Sequence, residues 1–403
     1  MAEPVIVATA RSPIGRAFKG SLIEVRPDDL AAEIVKAALA KVPQLDPGEI
    51  EDLMLGCGLP GGEQGFNMGR VVSVLAGLPD VPGLTLTRYC ASSLQTIRMA
   101  AHAIRAGEGD VFVAAGVELV SRFVKGNSDS HPDTMNPRFA DAGERTAQRA
   151  EAGSIPWSER TGLPDVYIAM GQTAENVAQI EGIGREEMDA FALRSQTRAV
   201  ESQKNGFFER EITPVTLANG NVVATDDGPR PDTSLERLAE LKPVFRSDGR
   251  ITAGNACPLN DGAAAVVVMS DTRARDLGIT PLARIRSSAV SALNPEIMGL
   301  GPVEASRRAL ERAGMSIGDV DLVEINEAFA AQVIPSARAL GVDPDRLNVH
   351  GGSIAVGHPF GMTGARIMTT LLNGLATDDK TIGLETMCVG GGQGMAMVVE
   401  RVG

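Results

Sequence analysis

Four residues in this chain have types and settings suited to nucleophilic and proton-transfer chemistry. Cys90 stands in "LTRYCASSLQTIRMAAHAI", just ahead of apolar residues at helical spacing, Leu94, Ile97, Ala101 and Ile104. A thiol at a helix start faces unpaired backbone N–H groups and the positive end of the helix dipole, which predicts a lowered pKa and a nucleophile. A free cysteine is as often a small buried apolar residue, and this stretch alone fits both readings. His358, one of only four histidines, sits in "GHPFGMTGARI", a Gly- and Pro-bounded turn before a second helical pattern, Ala365, Met368, Leu372 and Leu375. Cys388 closes the strand-like run of "ETMCVGGGQG". It is either a buried cysteine beside a glycine hairpin or a second reactive thiol next to N–H groups able to hold an oxyanion. Asn326, in "EINEAFA", falls at a strand end, where it caps a helix or holds a water or carbonyl.

The elements that must position these residues repeat. "EIEDLMLGCG" (49–58) resembles "DVDLVEINEA" (319–328), and pairing Leu55 with Ile325 sets an offset of 270, that is, 325 less 55. The same offset carries Cys90 to Phe360, inside the histidine turn, and makes Asn326 the counterpart of Gly56. Each turn leads into a helix and then a strand, "DVFVAAG" (110–116) and "TIGLETM" (381–387). The closing strand of the second half is "MAMVVE" (395–400), and its first-half counterpart, "AAAVVVMS" (263–270), comes much later. Alternating strands and helices predict two α/β halves, the first interrupted by about 140 residues rich in Pro, Gly and charge.

Composition narrows the function classes. With 403 residues, 43% apolar and 22% charged, the chain has the make-up of a globular protein with two or three packed units. A net charge of −13 argues against a nucleic-acid partner. No apolar run is long enough to span a membrane. Neither "MAEPVIVATA" nor "RVG" carries a targeting signal, so cytoplasm is the expected location. Cysteines 57, 90, 257 and 388 form no C-x-x-C pair, so neither a metal site nor a structural disulfide is expected. "GCGLPG" (56–61) matches G-x-G-x-x-G formally. Pro60 interrupts its turn, however, and no acidic strand end follows about 20 residues on, so a dinucleotide site is set aside.

Seven stretches in order resemble the thiolase family. They are "VATARSPIGRAFKG", "RYCASSLQ", "MGQTAENVA", "ITAGNACPLNDGAAA", "DLVEINEAFAAQ", "NVHGGSIAVGHPFGMTGARI" and "CVGGGQGMA". The resemblance implies α/β thiolase-like duplicated halves in a layered α-β-α-β-α arrangement, with a loop domain inserted in the first half. The expected division is 1–120 with 261–280 as the N-terminal half, 121–260 as the insertion and 281–403 as the C-terminal half. It implies an acyltransferase of fatty acid and lipid metabolism that cleaves or forms carbon–carbon bonds in acyl-CoA thioesters. Cys90 matches the acylated nucleophile, His358 its base, Cys388 the acid/base thiol and Asn326 the holder of an oxyanion-hole water. The N–H groups of Cys90 and Gly390 match a second oxyanion hole. Arg230, Cys257, Met170 and Met298 match substrate- or CoA-binding positions. Coenzyme A and acyl-CoA are implied as substrates, with no permanently bound cofactor, and a homodimer or homotetramer is expected.

Four departures stand out. Ser93 replaces a usual glycine, Cys257 a common serine, His350 a common asparagine, and Ala169 stands where some short-chain members have histidine. The stretch 121–143 is a candidate inter-subunit loop. Two rivals share the fold: a decarboxylating ketoacyl synthase, which lacks an equivalent of Cys388, and a carrier or scaffold without catalysis.

Overall fold

The apolar runs of this chain need cover on both faces of each strand, and the architecture supplies it in layers. A computed structural model describes residues 2–125, 134–152, 155–159 and 161–403. Its first part runs β1 (Pro4–Arg11), β2 (Gly15–Arg16), α1 (Pro27–Leu39), β3 (Asp52–Cys57), α2 (Met68–Leu75), β4 (Gly83–Leu86), α3 (Ser92–Ala106) and β5 (Val111–Leu119). The chain continues through α4 (Ala140–Ala152), α5 (Met170–Ile180), α6 (Arg185–Lys204), β6 (Val215–Thr216), β7 (Val222–Val223) and α7 (Leu235–Ala239). Next come β8 (Asn260–Ser270), α8 (Asp271–Asp276), β9 (Ala283–Ala292), α9 (Gly301–Ala313), β10 (Leu322–Ile325) and α10 (Ala330–Leu340). The last elements are α11 (Ser353–Val356), α12 (Thr363–Thr377), β11 (Ile382–Val389) and β12 (Gln393–Arg401).

The strands pair in the order β10-β11-β12-β9-β1-β8-β5-β3-β4, with β2 on β8. The order mirrors itself about the β9–β1 junction, where only Val5 with Arg284 and Ile6 with Ala283 are in register. Along β5, Val111, Val113, Ala115 and Val117 face the cluster under α1 and α2, while Phe112 and Ala114 face the cluster around α3 and α12. The second half repeats the pattern: Leu384 and Val398 meet α9 and α10, whereas Met387 and Val399 meet the central helices. Outer helices, first sheet half, central α3 and α12, second sheet half and outer helices are the five layers. Fully buried strands explain why β5 and β8 read as unbroken apolar runs rather than alternating ones.

The duplication is visible in the sheet. Leu55 lies beside Ala115 on β3–β5 as Ile325 lies beside Thr386 on β10–β11. The turns need a correction of one residue. Tyr89–Ala91 precedes α3 as Phe360–Met362 precedes α12, so the counterpart of Cys90 is Gly361 rather than Phe360. Counted from the matched Leu55 and Ile325, the second half has one more residue before its turn.

The segment between β5 and β8 packs α5 and α6 onto α10, burying Ala174, Ile183 and Ala192 with Phe329, Ala330 and Cys388. A buried ion pair ties it down: Arg149 Nη2 lies 2.7 Å from Glu296, which also accepts from the Trp157 indole at 2.8 Å and the Asp165 N–H at 3.0 Å. Of the candidate inter-subunit loop at 121–143, residues 126–133 lie outside the described residues. Among the described residues no helix is long and apolar enough to cross a membrane.

Candidate active site

Cys90 occupies the middle of the turn Tyr89–Ala91, and Tyr89 before it has φ 43°, a left-handed conformation that costs energy in a non-glycine residue. Ser92 fixes this turn by accepting from the Arg88 N–H at 2.9 Å and donating to the Tyr89 carbonyl at 2.7 Å. The floor beneath is glycine. Gly56 and Gly116 are paired across β3 and β5, and a Cβ on Gly56 would come within 2.5 Å of the Ser92–Ser93 backbone. A Cβ on Gly116 would come within 2.1 Å of the Gly361 carbonyl oxygen. Ser93, the departure expected to alter packing behind the nucleophile, accepts from the Ala365 N–H at 2.9 Å. It satisfies a free N–H in the first turn of α12 and joins the two central helices.

Position at a helix start does not produce a thiolate here. Burial pushes the Cys90 thiol up to about 12, against opposing help from the N–H groups of Gly390 and of Cys90 itself. The resting group is therefore a thiol aimed at two N–H donors, and it needs a base. Cys388 is also fully buried, and burial, then the neighbouring thiols of Cys90 and Cys257, hold its pKa well above the usual range. All three sulfurs thus share one small region.

His358 has the properties of that base. Its Nδ1 is 2.6 Å from Thr363 Oγ1, and that hydroxyl donates to the Pro359 carbonyl at 2.8 Å. Because the hydroxyl proton is already committed, Nδ1 must be the protonated nitrogen, which leaves a lone pair on Nε2. Burial, then the charge of Arg366, lowers the imidazole to about 3, so it is neutral at physiological pH. Asn326 extends the β10–β11 ladder by donating its N–H to Thr386 at 3.0 Å, and its amide nitrogen sits 3.3 Å from His358 Nε2. The amide is oriented from behind: Ser353 Oγ donates to Asn326 Oδ1 at 2.6 Å and accepts from Arg366 Nη2 at 2.7 Å.

A cavity of about 370 Å³ opens at Cys90, with Gly390, Met170, Leu59, Tyr167 and Phe360 among its walls. His358 stacks edge-on against Phe360 at 5.1 Å. Met170 begins α5 at this wall. Met298, by contrast, is 1% exposed in the apolar cluster around Cys388 and presents no open surface. Arg230 lines two adjoining grooves of about 430 and 170 Å³, shared with Gln196 and Thr233, with Lys204 in the larger and Arg237 in the smaller. Cys257 is partly buried, donates its N–H to Ala328 at 3.0 Å and adjoins Pro258 at the edge of the smaller groove. His350 stacks on Phe207 at 3.6 Å, away from these cavities.

Four residues at the site escaped the sequence reading: Glu118, Thr363, Ser353 and Arg366. Glu118 and Arg366 did leave a signal, a lone charge inside an otherwise apolar strand or helix pattern.

A buried thiol, a neutral imidazole with an unprotonated Nε2, a second thiol and paired N–H donors define an acyl-transferring enzyme that works through a thioester on cysteine. Comparison with known proteins narrows this. The family models described as "Thiolase, N-terminal domain" and "Thiolase, C-terminal domain" match residues 4–272 and 279–401. A "3-ketoacyl-CoA thiolase" of Bacillus subtilis (strain 168) is 42% identical, over 99% of this chain and all of its own length. A "3-oxoadipyl-CoA/3-oxo-5,6-dehydrosuberyl-CoA thiolase" of Escherichia coli (strain K12) is 45% identical over the whole of both chains. The crystal structure of the Bacillus anthracis acetyl-CoA acetyltransferase superposes with a TM-score of 0.86 at 37% identity, covering 100% of this chain and 99% of that one. The chain belongs to the thiolase family, and it is an enzyme of CoA-dependent thiolysis and condensation.

Proposed function

We propose that Cys90, His358, Cys388, Asn326 and Gly390 carry this reaction on a 3-ketoacyl-CoA. His358 Nε2 takes the proton of Cys90, and the thiolate attacks the 3-keto carbon. The oxygen of the tetrahedral adduct meets the N–H groups of Cys90 and Gly390. The bond between C2 and C3 breaks, and Cys388 gives its proton to the departing C2 carbanion, releasing acetyl-CoA. The enolate oxygen faces His358 and a water on the Asn326 amide while that charge exists. Free CoA then attacks the acyl group on Cys90, its thiol proton restores Cys388, and the proton on His358 returns to Cys90. Condensation is the same sequence reversed.

The observation that carries this reading is the tautomer of His358. Thr363 commits Nδ1–H and leaves Nε2 unprotonated, which suits a base acting on a thiol that cannot ionise by itself.

The cationic grooves at Arg230 support a site for the CoA phosphates and adenosine, with Cys257 beside the pantetheine path. The described residues walling the cavity at Cys90 are uncharged. That favours a neutral, apolar acyl chain over the ω-carboxylate named for the Escherichia coli relative. The strand membership of the two sheet halves supports a division near 120, 260 and 280, with β8 beginning at Asn260. A homo-oligomer, located in the cytoplasm and serving fatty acid metabolism, completes the proposal. Among the described residues β4 ends the strand order, and this edge together with the exposed Phe66 and Val74 supports self-association.

The test is CoA-dependent cleavage of 3-ketoacyl-CoA substrates of graded length, with 3-oxoadipyl-CoA included. Cleavage that favours a neutral chain, with an acyl adduct on Cys90, is the expected result. Cleavage without an adduct on Cys90 would sink the assigned mechanism, and preference for the dicarboxylate would sink the acyl assignment.

A further inference from the structure

Glu118 lies one residue from the end of β5, is 0% exposed, and makes no ion pair among the described residues. Burying an uncompensated carboxylate is costly, so the donors gathered around this one mark a purpose. Oε2 accepts from the Gly58 N–H at 2.6 Å and from the Gly361 N–H at 2.9 Å. Oε1 accepts from Gln64 Nε2 at 2.7 Å and from the Leu59 N–H at 3.3 Å. Gly58 and Leu59 follow β3 in the first half, and Gly361 belongs to the turn after His358 in the second half. One oxygen therefore joins the two halves at the site. Gly58 leaves no slack, since a Cβ there would lie 2.5 Å from Oε2 and 2.8 Å from Phe360 Cβ. Leu59 and Phe360, the residues held by these two loops, both wall the cavity at Cys90.

We infer that Glu118 is a positioning residue that sets the width of the acyl cavity by tying the Leu59 loop to the Phe360 turn. The inference rests on the reading of Cys90 as the acylated residue. Only an acceptor without protons satisfies four converging N–H groups, so a carboxylate fits where a glutamine would turn a donor onto a donor.

Two variants separate geometry from charge. Glu118→Gln keeps the length and removes the charge, while Glu118→Asp keeps the charge but is one methylene too short to hold both loops. For both variants, the loss of kcat/KM should grow with chain length, about threefold for acetoacetyl-CoA and tenfold or more for substrates of eight carbons and longer. KM for CoA should stay unchanged. An equal loss at every chain length in the two variants would overturn the cavity role. If Glu118→Gln does not fold, Glu118→Asp still decides the chain-length arm. A wild-type enzyme without an acyl adduct on Cys90 would refute the underlying reading instead, whatever the variants do.

Discussion

The two central helices begin in the same way and do different chemistry. Tyr89–Ala91 leads into the 15 residues of α3, and Phe360–Met362 leads into the 15 residues of α12. In the first half the turn itself carries the reactive group, held up by the left-handed Tyr89. In the second half the reactive group comes before the turn, at His358, after the positive-φ Gly357. The thiol is raised by burial and the imidazole is lowered by it, so one physical cause leaves an acid with its proton and a base without one. The duplicated scaffold supplies two matching approaches to one point, and the residues at the turns decide which is nucleophile and which is base.

The largest way to break this comparison is to remove its first member. Cys90→Ala should lower CoA-dependent thiolysis by at least about 10³-fold and abolish the acyl adduct in intact-mass measurements. Retained turnover would show that the thiol is packing. Removing the second member should cost less. His358→Ala should slow thiolysis by roughly 10²–10⁴-fold, the range for a lost general base. It should also change acid stability. The histidine titrates near 6.5 when unfolded and near 3 when folded, so the unfolded chain binds more protons between those values. Its contribution is complete above pH 6.5 and is lost as pH falls toward 3. Thermal melts of His358→Ala should therefore lose less stability than wild type between pH 6.5 and 4. Parallel losses would contradict the buried neutral imidazole.

A smaller effect tests what joins the two helices. Ser93→Ala leaves the Ala365 N–H without its acceptor, which should cost about 1 kcal/mol and lower Tm by about 1–3 °C. A calorimetric scan that shows no shift would mean the link is redundant.

Much of this site was legible in the sequence because glycine and proline mark where backbone must turn or come close. "GHPFG" and "CVGGG" announced their turns, and the strand repeat gave the matching of Leu55 with Ile325. The slip of one residue at Phe360 arose because turns have no periodicity to fix their register. The lowered thiol pKa read from the helix start failed because burial, which the local sequence does not reveal, outweighs the dipole. Thr363 and Ser353 act from five residues away from His358 on either side and Arg366 from eight, through hydrogen bonds that no spacing rule predicts. Met298, carried over with the resemblance as a binding position, lies instead in the apolar cluster around Cys388, and nothing in its own stretch of sequence tells pocket from core.

The equivalent strands β5 and β11 sharpen the comparison once more, since each buries a glutamate at a different height. Glu118 meets four N–H donors, whereas among the described residues neither carboxyl oxygen of Glu385 has a hydrogen-bond partner. Glu385 lies beside Glu324 in the parallel β10–β11 register, with Arg366 on α12 opposite them. Burial pushes Glu385 well above its ordinary range and Glu324 to about 8, with the charge of Arg366 opposing both. The folded chain therefore binds more protons than the unfolded chain above pH 4.5, and this part of its stability declines as pH rises through the raised values. Glu385→Gln mimics the protonated acid and has no proton to lose. Its Tm should match wild type near pH 5 and exceed it by about 1–3 °C near pH 9. A difference in Tm that stays constant across that range would show that Glu385 titrates alike in the folded and unfolded chain, and would overturn the burial-raised carboxyl.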